Sequence, residues 1–431
     1  MRPGSPAMIA ARSASLIAPQ RPISCSVRPQ PAHNWLAGSI SQTLIQGVWI
    51  GICSVPGAGI FGYHRLALGG AKTAMNVVEA TSAYEDWLAS NIALDVSDIA
   101  LKHQLMHDSA FAFLRATYYR WIALSAKQCA DLAKAPQVLS VGDLHIENFG
   151  TWRDNEGRLA WGINDFDEAS HLPYTNDLVR LAASILVAVD TGALSFDSKK
   201  ACTDILEGYS DVIGVQDAAP FILEEEHSGL RDLAMSGTRG PKKFWKKIME
   251  AQKITPPSSA KKILSSYLPR GAKSVVYARR TAGTGGLGVP RFIAWGRSHG
   301  GLVAREAKAR APATHCWVKD IDPKPSPFMA ILKQAVRVPD PGLHVASHWI
   351  VRRLGPHLER IELGDVADTK ARREVLCAMG RETANAHWGD RKAAALIVED
   401  LKEREPSWLY SHAARMAEAT LKDWRAWRKR R

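Results

Sequence analysis

The stretch Val141 to Ala169, VGDLHIENFGTWRDNEGRLAWGINDFDEA, constrains this chain more than any other. An apolar lead-in ends in Gly142-Asp143-Leu144-His145-Ile146-Glu147-Asn148. Two strand-like runs follow, Phe149 to Trp152 and Leu159 to Asn164, joined by Asp154-Asn155-Glu156-Gly157. Turn-forming Asp, Asn and Gly between apolar runs are a hairpin signal. The second run delivers Asp165-Phe166-Asp167-Glu168, so a hairpin brings an acidic segment back beside a polar loop. Taken singly, Asp143, His145 and Asp165 read as turn and capping residues. A metallophosphoesterase would also use a GD-x-H start, but it needs further His-rich ligand motifs, and this chain has no GNH[DE].

The combination points to phosphoryl transfer. Such sites need a carboxylate near the attacking hydroxyl, and an Asn and an Asp that hold magnesium on nucleotide phosphates. Kinase catalytic loops place the Asn five positions after the Asp, the spacing of Asp143 and Asn148. The segment resembles the catalytic core of the aminoglycoside phosphotransferase and choline kinase group, with its GD-x-H-x-x-N loop, hairpin and D-[FW]-x-[DE]-A stretch. The resemblance implies that Asp143 orients or deprotonates the acceptor hydroxyl and that His145 braces the loop. It implies that Asn148 and Asp165 hold magnesium, with Asp167 and Glu168 available to a second metal or to a basic group on the substrate.

The chain has 431 residues, 46% hydrophobic and 23% charged, the balance of a globular protein with two or three domains. Cys25, Cys53, Cys129, Cys202, Cys316 and Cys377 show no metal or redox spacing, so a reducing cytoplasm is expected. The net charge of +13 is uneven: no acid precedes Glu79, and the run Trp424 to Arg431 is strongly basic. A basic balance favours anionic ligands such as nucleotides. The C-terminal run is read as a solvated basic tail, with no nucleic-acid partner expected. Residues 1–74 are rich in Ser, Pro, Gly and Ala, and are expected to be a disordered or non-native extension ahead of a start near Met75. Within them Thr43 to Tyr63 is uncharged and long enough to span a bilayer. Its glycines and Pro56 weaken the helix, and no membrane anchor is expected.

From Met75 the pattern turns helical, over Glu79–Leu88, Val96–His107 and a dense aromatic helix Ser109–Trp121 that carries Arg115. Asp177 reads as the N-cap of a helix Leu178–Val189, with Arg180 on its polar side. Further helices are expected over Lys199–Ile213 and Lys242–Lys253. A second informative region follows: a strand Ser274–Arg279, the Gly-rich Thr281–Gly288, and strands Pro290–Trp295 and Leu302–Lys308. Kinases cover ATP in this way, with Gly-loop amides on the phosphates and a cation paired to them. Gly283, Gly285, Gly286 and Gly288 are the candidate phosphate cover. Arg305 and Lys308 fall on opposite strand faces, and either could be the cation. The run Ser326–Val336 contains no acid to hold that cation, which leaves Glu306, another residue or no partner. Trp349–Leu354 suits a hinge strand for adenine. Helices over Lys370–His387 and Ser407–Trp427 close the chain.

In ordinary kinases the Gly loop and its cation precede the catalytic loop; here they follow it. The layout reads as a circular permutation, tolerable where termini lie close together on the surface. It is similar to that of the uncharacterised bacterial domain-of-unknown-function family 2252. The matching pieces are Phe113-Leu114-Arg115, Gly142–Gly150, Asn164–Glu168, Asp177–Ala182, Gly283–Gly288 and Arg305-Glu306-Ala307. The resemblance spans most of Met75 to Asp390 and implies an α+β, kinase-like, circularly permuted two-lobed fold. Its parts are a helix-rich catalytic lobe over 75–270, a small antiparallel nucleotide lobe over 271–360, and helices of 361–431 returning to the first lobe. The implied activity is ATP- and magnesium-dependent phosphorylation of a hydroxyl on a small molecule. The alternative is a kinase-like nucleotide- or partner-binding protein without turnover.

Overall fold

Asn76 caps the helix that begins at Val77 with a capping box: its side chain accepts from the Val78 and Glu79 amides, and Glu79 reaches back to the Asn76 amide. The computed structural model describes residues 72–430, apart from 225–226, 237–239, 357, 359–362 and 367–368. The expectations for residues 1–71, including the apolar run Thr43–Tyr63, lie outside the described residues. Among the described residues no helix is long and apolar enough to cross a membrane.

The protein is α+β. The first half runs α1 (Val77–Ala89), α2 (Val96–Asp108), α3 (Ala110–Ala116), α4 (Tyr118–Gln128), β1 (Gln137–Ser140), β2 (Phe149–Arg153), β3 (Leu159–Ile163), β4 (Ser170–Pro173), α5 (Thr175–Asp190), α6 (Ser198–Ile213), β5 (Phe221–Ile222), α7 (Ser228–Ser236), α8 (Pro241–Met249) and α9 (Ser258–Tyr267). The second runs β6 (Lys273–Arg279), β7 (Arg291–Ser298), β8 (Gly301–Ala309), α10 (Thr314–Lys319), α11 (Phe328–Gln334), β9 (Leu343–Ala346), β10 (Trp349–Leu354), α12 (Thr369–Trp388), α13 (Arg391–Lys402) and α14 (Trp408–Arg428). A five-stranded antiparallel sheet has the order β6-β7-β8-β10-β9; smaller sheets are β1-β4 and β2-β3-β5.

Several expectations need correction. The aromatic run is two helices, because Thr117 leaves helical geometry (φ −122°, ψ 37°) and its hydroxyl bonds back to the Phe113 carbonyl. The break sends its aromatics to different cores: Phe113 packs near Trp427, Tyr118 and Trp121 enter the central core, and Tyr119 stacks on Tyr84. The basic helix α8 stops at Met249, because the chain then runs along the sheet edge, with the Gln252 carbonyl accepting from the Arg279 amide. The C-terminal Trp-Arg run is no solvated tail. It ends α14, with Trp427 only 2% exposed and the Trp424 indole donating to the Met106 carbonyl. Asp177 is not an N-cap either: α5 begins at Thr175, and Asp177 lies inside its first turn with its side chain engaged elsewhere.

The central core surrounds α5, which is buried from Asp177 through Ala188. Helices α6 and α12 cross beside it in backbone contact. A Cβ at Gly208 would meet the Cys377 carbonyl, and one at Gly380 the Ile205 carbonyl. The five-stranded sheet is covered on both faces. Phe244, Trp245 and Ile248 of α8 pack on Ala278, Ile293 and Ala304. Ala260 and Leu264 of α9 pack on Phe292, Ala294 and Ala307. Gly380→Ala forces a methyl into a backbone-on-backbone contact and should destabilise the protein by about 1–3 kcal/mol. Urea denaturation checks this against Gly157→Ala, where a Cβ meets no atom within 4 Å but φ is +79°, so that the backbone cost of the control is read separately.

Candidate active site

The loop after β1 is held from below by one carboxylate. Asp177 accepts from the Ser140 hydroxyl (2.6 Å), the Val141 amide (2.7 Å) and the Gly142 amide (2.9 Å). The imidazole of His387, at the end of α12, lies 2.9 Å from the same group and 2.8 Å from the Tyr209 hydroxyl. Asp177 and His387 are fully buried. A carboxylate so buried requires several donors, and these four supply them. Gly142 follows with φ +92°, in a place where a Cβ would strike the Glu168 carbonyl. The loop is thereby pressed against the acidic segment.

Asp143 comes next. Its Oδ1 accepts from Arg180 Nε (3.0 Å) and Nη2 (2.6 Å). Arg180 is no solvated residue of a polar face: it is fully buried, with its guanidinium over the Tyr118 and Trp121 rings. Burial pushes the Asp143 carboxyl above its ordinary value, and Arg180 limits the rise. Asn148 closes the loop by donating from Nδ2 to the Asp143 carbonyl (2.6 Å), while its own carbonyl accepts from the Asn164 amide (2.9 Å) at the end of the hairpin. His145 is buried, and its Nδ1 accepts from the Glu147 amide (3.2 Å). Glu147 is ion-paired to Arg115 at 2.5 Å.

The hairpin is β2 and β3, in register from Phe149↔Ile163 to Arg153↔Leu159. It delivers Asp165, Asp167 and Glu168 to the same cleft. Burial works to raise the Asp165 carboxyl, but Lys308, Arg352 and Arg291 together hold it below its ordinary value. One oxygen of Asp167 is ion-paired to Lys308, and the other, Oδ1, is buried without a partner. Glu168 accepts from the Thr314 amide and hydroxyl, both at 2.8 Å, at the start of α10. Burial nevertheless pushes its carboxyl up to about 8, with Asp143 and Asp167 adding to the rise.

The sheet supplies the opposite wall. Lys308 lies on β8 and faces the acids; Arg305 is on the other face, beside Arg353, and does not line the cleft. Glu306 does not serve Lys308 as a direct partner. It pairs with Arg280 (2.5 Å) and Arg291 (3.3 Å), and although burial opposes this, the surrounding arginines hold it at about 2. Gly283, Gly285 and Gly286 line the cleft, and Gly288 does not. Gly288 anchors the loop, with its carbonyl accepting from the Asp95 amide and its Cα against Ile99. A Cβ at Gly285 would come within 2.7 Å of the Arg115 carbonyl and 3.9 Å of Asp143 Oδ2. One at Gly286 would lie 3.3 Å from both Lys308 Nζ and Arg291 Nη2. The glycine loop thus lies against the Arg115 carbonyl and beside Asp143, and the cleft has a volume of about 120 Å³.

Sequence reasoning missed Arg291, Tyr118, Lys102 and Thr314 as lining residues, and Arg180 as the partner of Asp143. Only Arg180 carried a readable signal: three positions after Asp177, it shares a helix face with it. Among the described residues, the group of acids and thiols whose ligand atoms lie within 4.8 Å of one another is Asp204, Glu207 and Cys377. Lys200 and Arg373 pair with its carboxylates, so charges already satisfy it.

A family model described as "Uncharacterized protein conserved in bacteria (DUF2252)" matches residues 95–265. The match takes in the Asp143 loop, the hairpin, the acidic segment, Asp177 and Arg180, and ends before the five-stranded sheet. Over that span the chain is similar to this bacterial family. No curated protein and no solved structure gives a significant match.

The buried Glu168 makes stability depend on pH. Its folded value of about 8 lies above the ordinary 4.5, so the folded state holds the proton more tightly than the unfolded chain. The resulting stability is complete below the ordinary value and is lost as pH rises through the folded one. Glu168→Gln should therefore show a smaller fall in urea midpoint than the parent between about pH 5 and 9. Glu382, raised by burial to about 7, leaves a residual slope in both proteins.

Proposed function

We propose that this protein is a phosphotransferase with a circularly permuted, kinase-like arrangement, moving the γ-phosphoryl group of ATP, with magnesium, onto a hydroxyl of a small molecule. The observation that carries the reading is the convergence of Asp143, Asn148, Asp165 and Lys308 on one cleft under a glycine loop. Several features support it. The loop joins the first two strands of the five-stranded sheet and the cation is on the third, the placement kinases use. His387 ends a helix that would precede the catalytic loop in an unpermuted chain, and it lies directly beneath that loop.

Asp143 Oδ2 would accept the proton of the acceptor hydroxyl as its oxygen attacks the γ-phosphorus and ADP leaves. Arg180 would keep the carboxylate oriented through Oδ1. Asn148, Asp165 and Asp167 would hold magnesium, which would neutralise charge on the phosphates; the unpartnered buried Oδ1 of Asp167 fits a cation ligand. Magnesium needs only one or two carboxylates when phosphates and water complete its shell, so a tight protein cage is not required. Gly283, Gly285 and Gly286 would let loop amides approach the phosphates, with Lys308 and Arg291 beside them. The cleft's 120 Å³ is less than the roughly 300 Å³ of small ligand sites. Nucleotide entry would therefore lift the glycine loop from Asp143.

A non-catalytic nucleotide-binding protein is the second reading. It draws on the ion pair of Lys308 with Asp167, where active kinases hold their Lys with a helix Glu. Calorimetry and ³¹P NMR separate the two. Asp165→Asn should lose magnesium-dependent ATP binding. Asp143→Asn should keep that binding and lose about 10²–10⁴-fold in turnover with a panel of hydroxylated metabolites. Unchanged magnesium–ATP affinity in Asp165→Asn would remove the metal role, and binding without transfer to any acceptor or to water would favour the second reading.

A further inference from the structure

We infer that the part of the cleft beyond Asp143, walled by Tyr84, Lys102, Tyr118, Glu168 and Thr314, binds an uncharged, polyhydroxylated ring such as a sugar or cyclitol. The inference rests on the phosphotransferase reading for what happens to that ring, but not for its binding.

Charge comes first. Every ionisable group on this wall already has its counterpart. Lys102 is 2% exposed, with Nζ 3.8 Å from Glu85 and over the Tyr119 ring. Arg115 is paired with Glu147, and Asp143 with Arg180. Both oxygens of Glu168 accept from Thr314, and the Lys102 ammonium acts on Glu168 as well as on Glu85. An amine or an acid entering here would lose its hydration and find no unmatched charge to compensate. The wall selects against ions of either sign.

Hydrogen-bonding capacity comes second. The Tyr118 side chain lines the cleft at 4% exposure, and its buried hydroxyl has no partner. Such a group costs free energy unless something bonds to it. Oδ2 of Asp143 offers an acceptor on the same cleft. A ligand hydroxyl both donates and accepts, so a molecule bearing several can satisfy Tyr118 with one and present another to Asp143. Tyr84 and Tyr119, stacked with centroids 4.2 Å apart, add apolar ring surface to the same wall. In the transfer step the presented hydroxyl gives its proton to Asp143, its oxygen bonds to the γ-phosphorus, and the bond to the ADP oxygen breaks.

Saturation-transfer NMR on the full chain tests the binding directly. The probes are myo-inositol, glucose, choline and glycerate, each alone and with magnesium and a non-hydrolysable ATP analogue. The expected result is transfer to a neutral polyol, weakened about tenfold or more in Tyr118→Phe, which keeps the ring and removes only the hydroxyl. Transfer to choline or glycerate instead, transfer to none of the four, or polyol binding untouched by Tyr118→Phe would overturn the inference. The magnesium–ATP titration is read separately. Polyol binding without nucleotide binding would sink the phosphotransferase reading and leave this subsite standing; nucleotide binding without polyol binding would do the reverse.

Discussion

One buried carboxylate organises the candidate site, and it does not face the cleft. Asp177 gathers the Ser140 hydroxyl, the Val141 and Gly142 amides and the His387 imidazole from two separate parts of the chain. Without that carboxylate, two backbone amides, a hydroxyl and an imidazole would be left buried and unmatched. The loss is the desolvation of each donor, not merely one hydrogen bond. Gly142, the last residue held, is adjacent to Asp143, so the clamp fixes the carboxylate that the proposed chemistry uses. It also ties α12 to the loop, although more than two hundred residues separate them.

A second constraint is charge balance within the cleft. Arg180 serves Asp143, Lys308 serves Asp167, Arg115 serves Glu147, and Arg280 and Arg291 serve Glu306. The chain's net charge of +13 is thus not an excess stored here. Its visible share lies elsewhere, on the exposed lysines of α8 and in arginines that stack on Trp424 and Trp427 at the end of α14. Those indoles are structural, and their cations cover apolar surface while keeping their charge near water.

Local features were legible in the sequence; features assembled from distant segments were not. The β2–β3 hairpin and its acidic exit follow from apolar runs and turn chemistry within thirty residues, and the structure has both. The alternation of β8 put Arg305 and Lys308 on opposite faces, but only packing of α9 on one face decided which of them meets the acids. Asp177 has good capping propensity. Tertiary donors outcompeted the helix terminus for its carboxylate, and the helix start shifted to Thr175. Arg180 looked solvent-facing because charged residues usually are; a buried partner one loop away reversed that. The wall formed by Tyr84, Lys102, Tyr118 and Thr314 comes from α1, α2, α4 and α10, and no local pattern joins them.

The pairing of Lys308 with Asp167 bears on how such a cleft can close upon itself and still admit a ligand. A lysine and a carboxylate left apart in a partly buried cleft would each carry a desolvation cost. Paired, they are satisfied while the glycine loop rests on Asp143. Under the proposed function, a phosphate would take over the lysine and a cation the carboxylate, so both charges remain matched in either state. Neither partner alone achieves this. Phosphate without a cation would strand Asp167 beside Asp165, and a cation without phosphate would strand Lys308 beside Arg291. Under that reading the ion pair would bias the cleft against half-loaded states and would favour joint binding of nucleotide and metal.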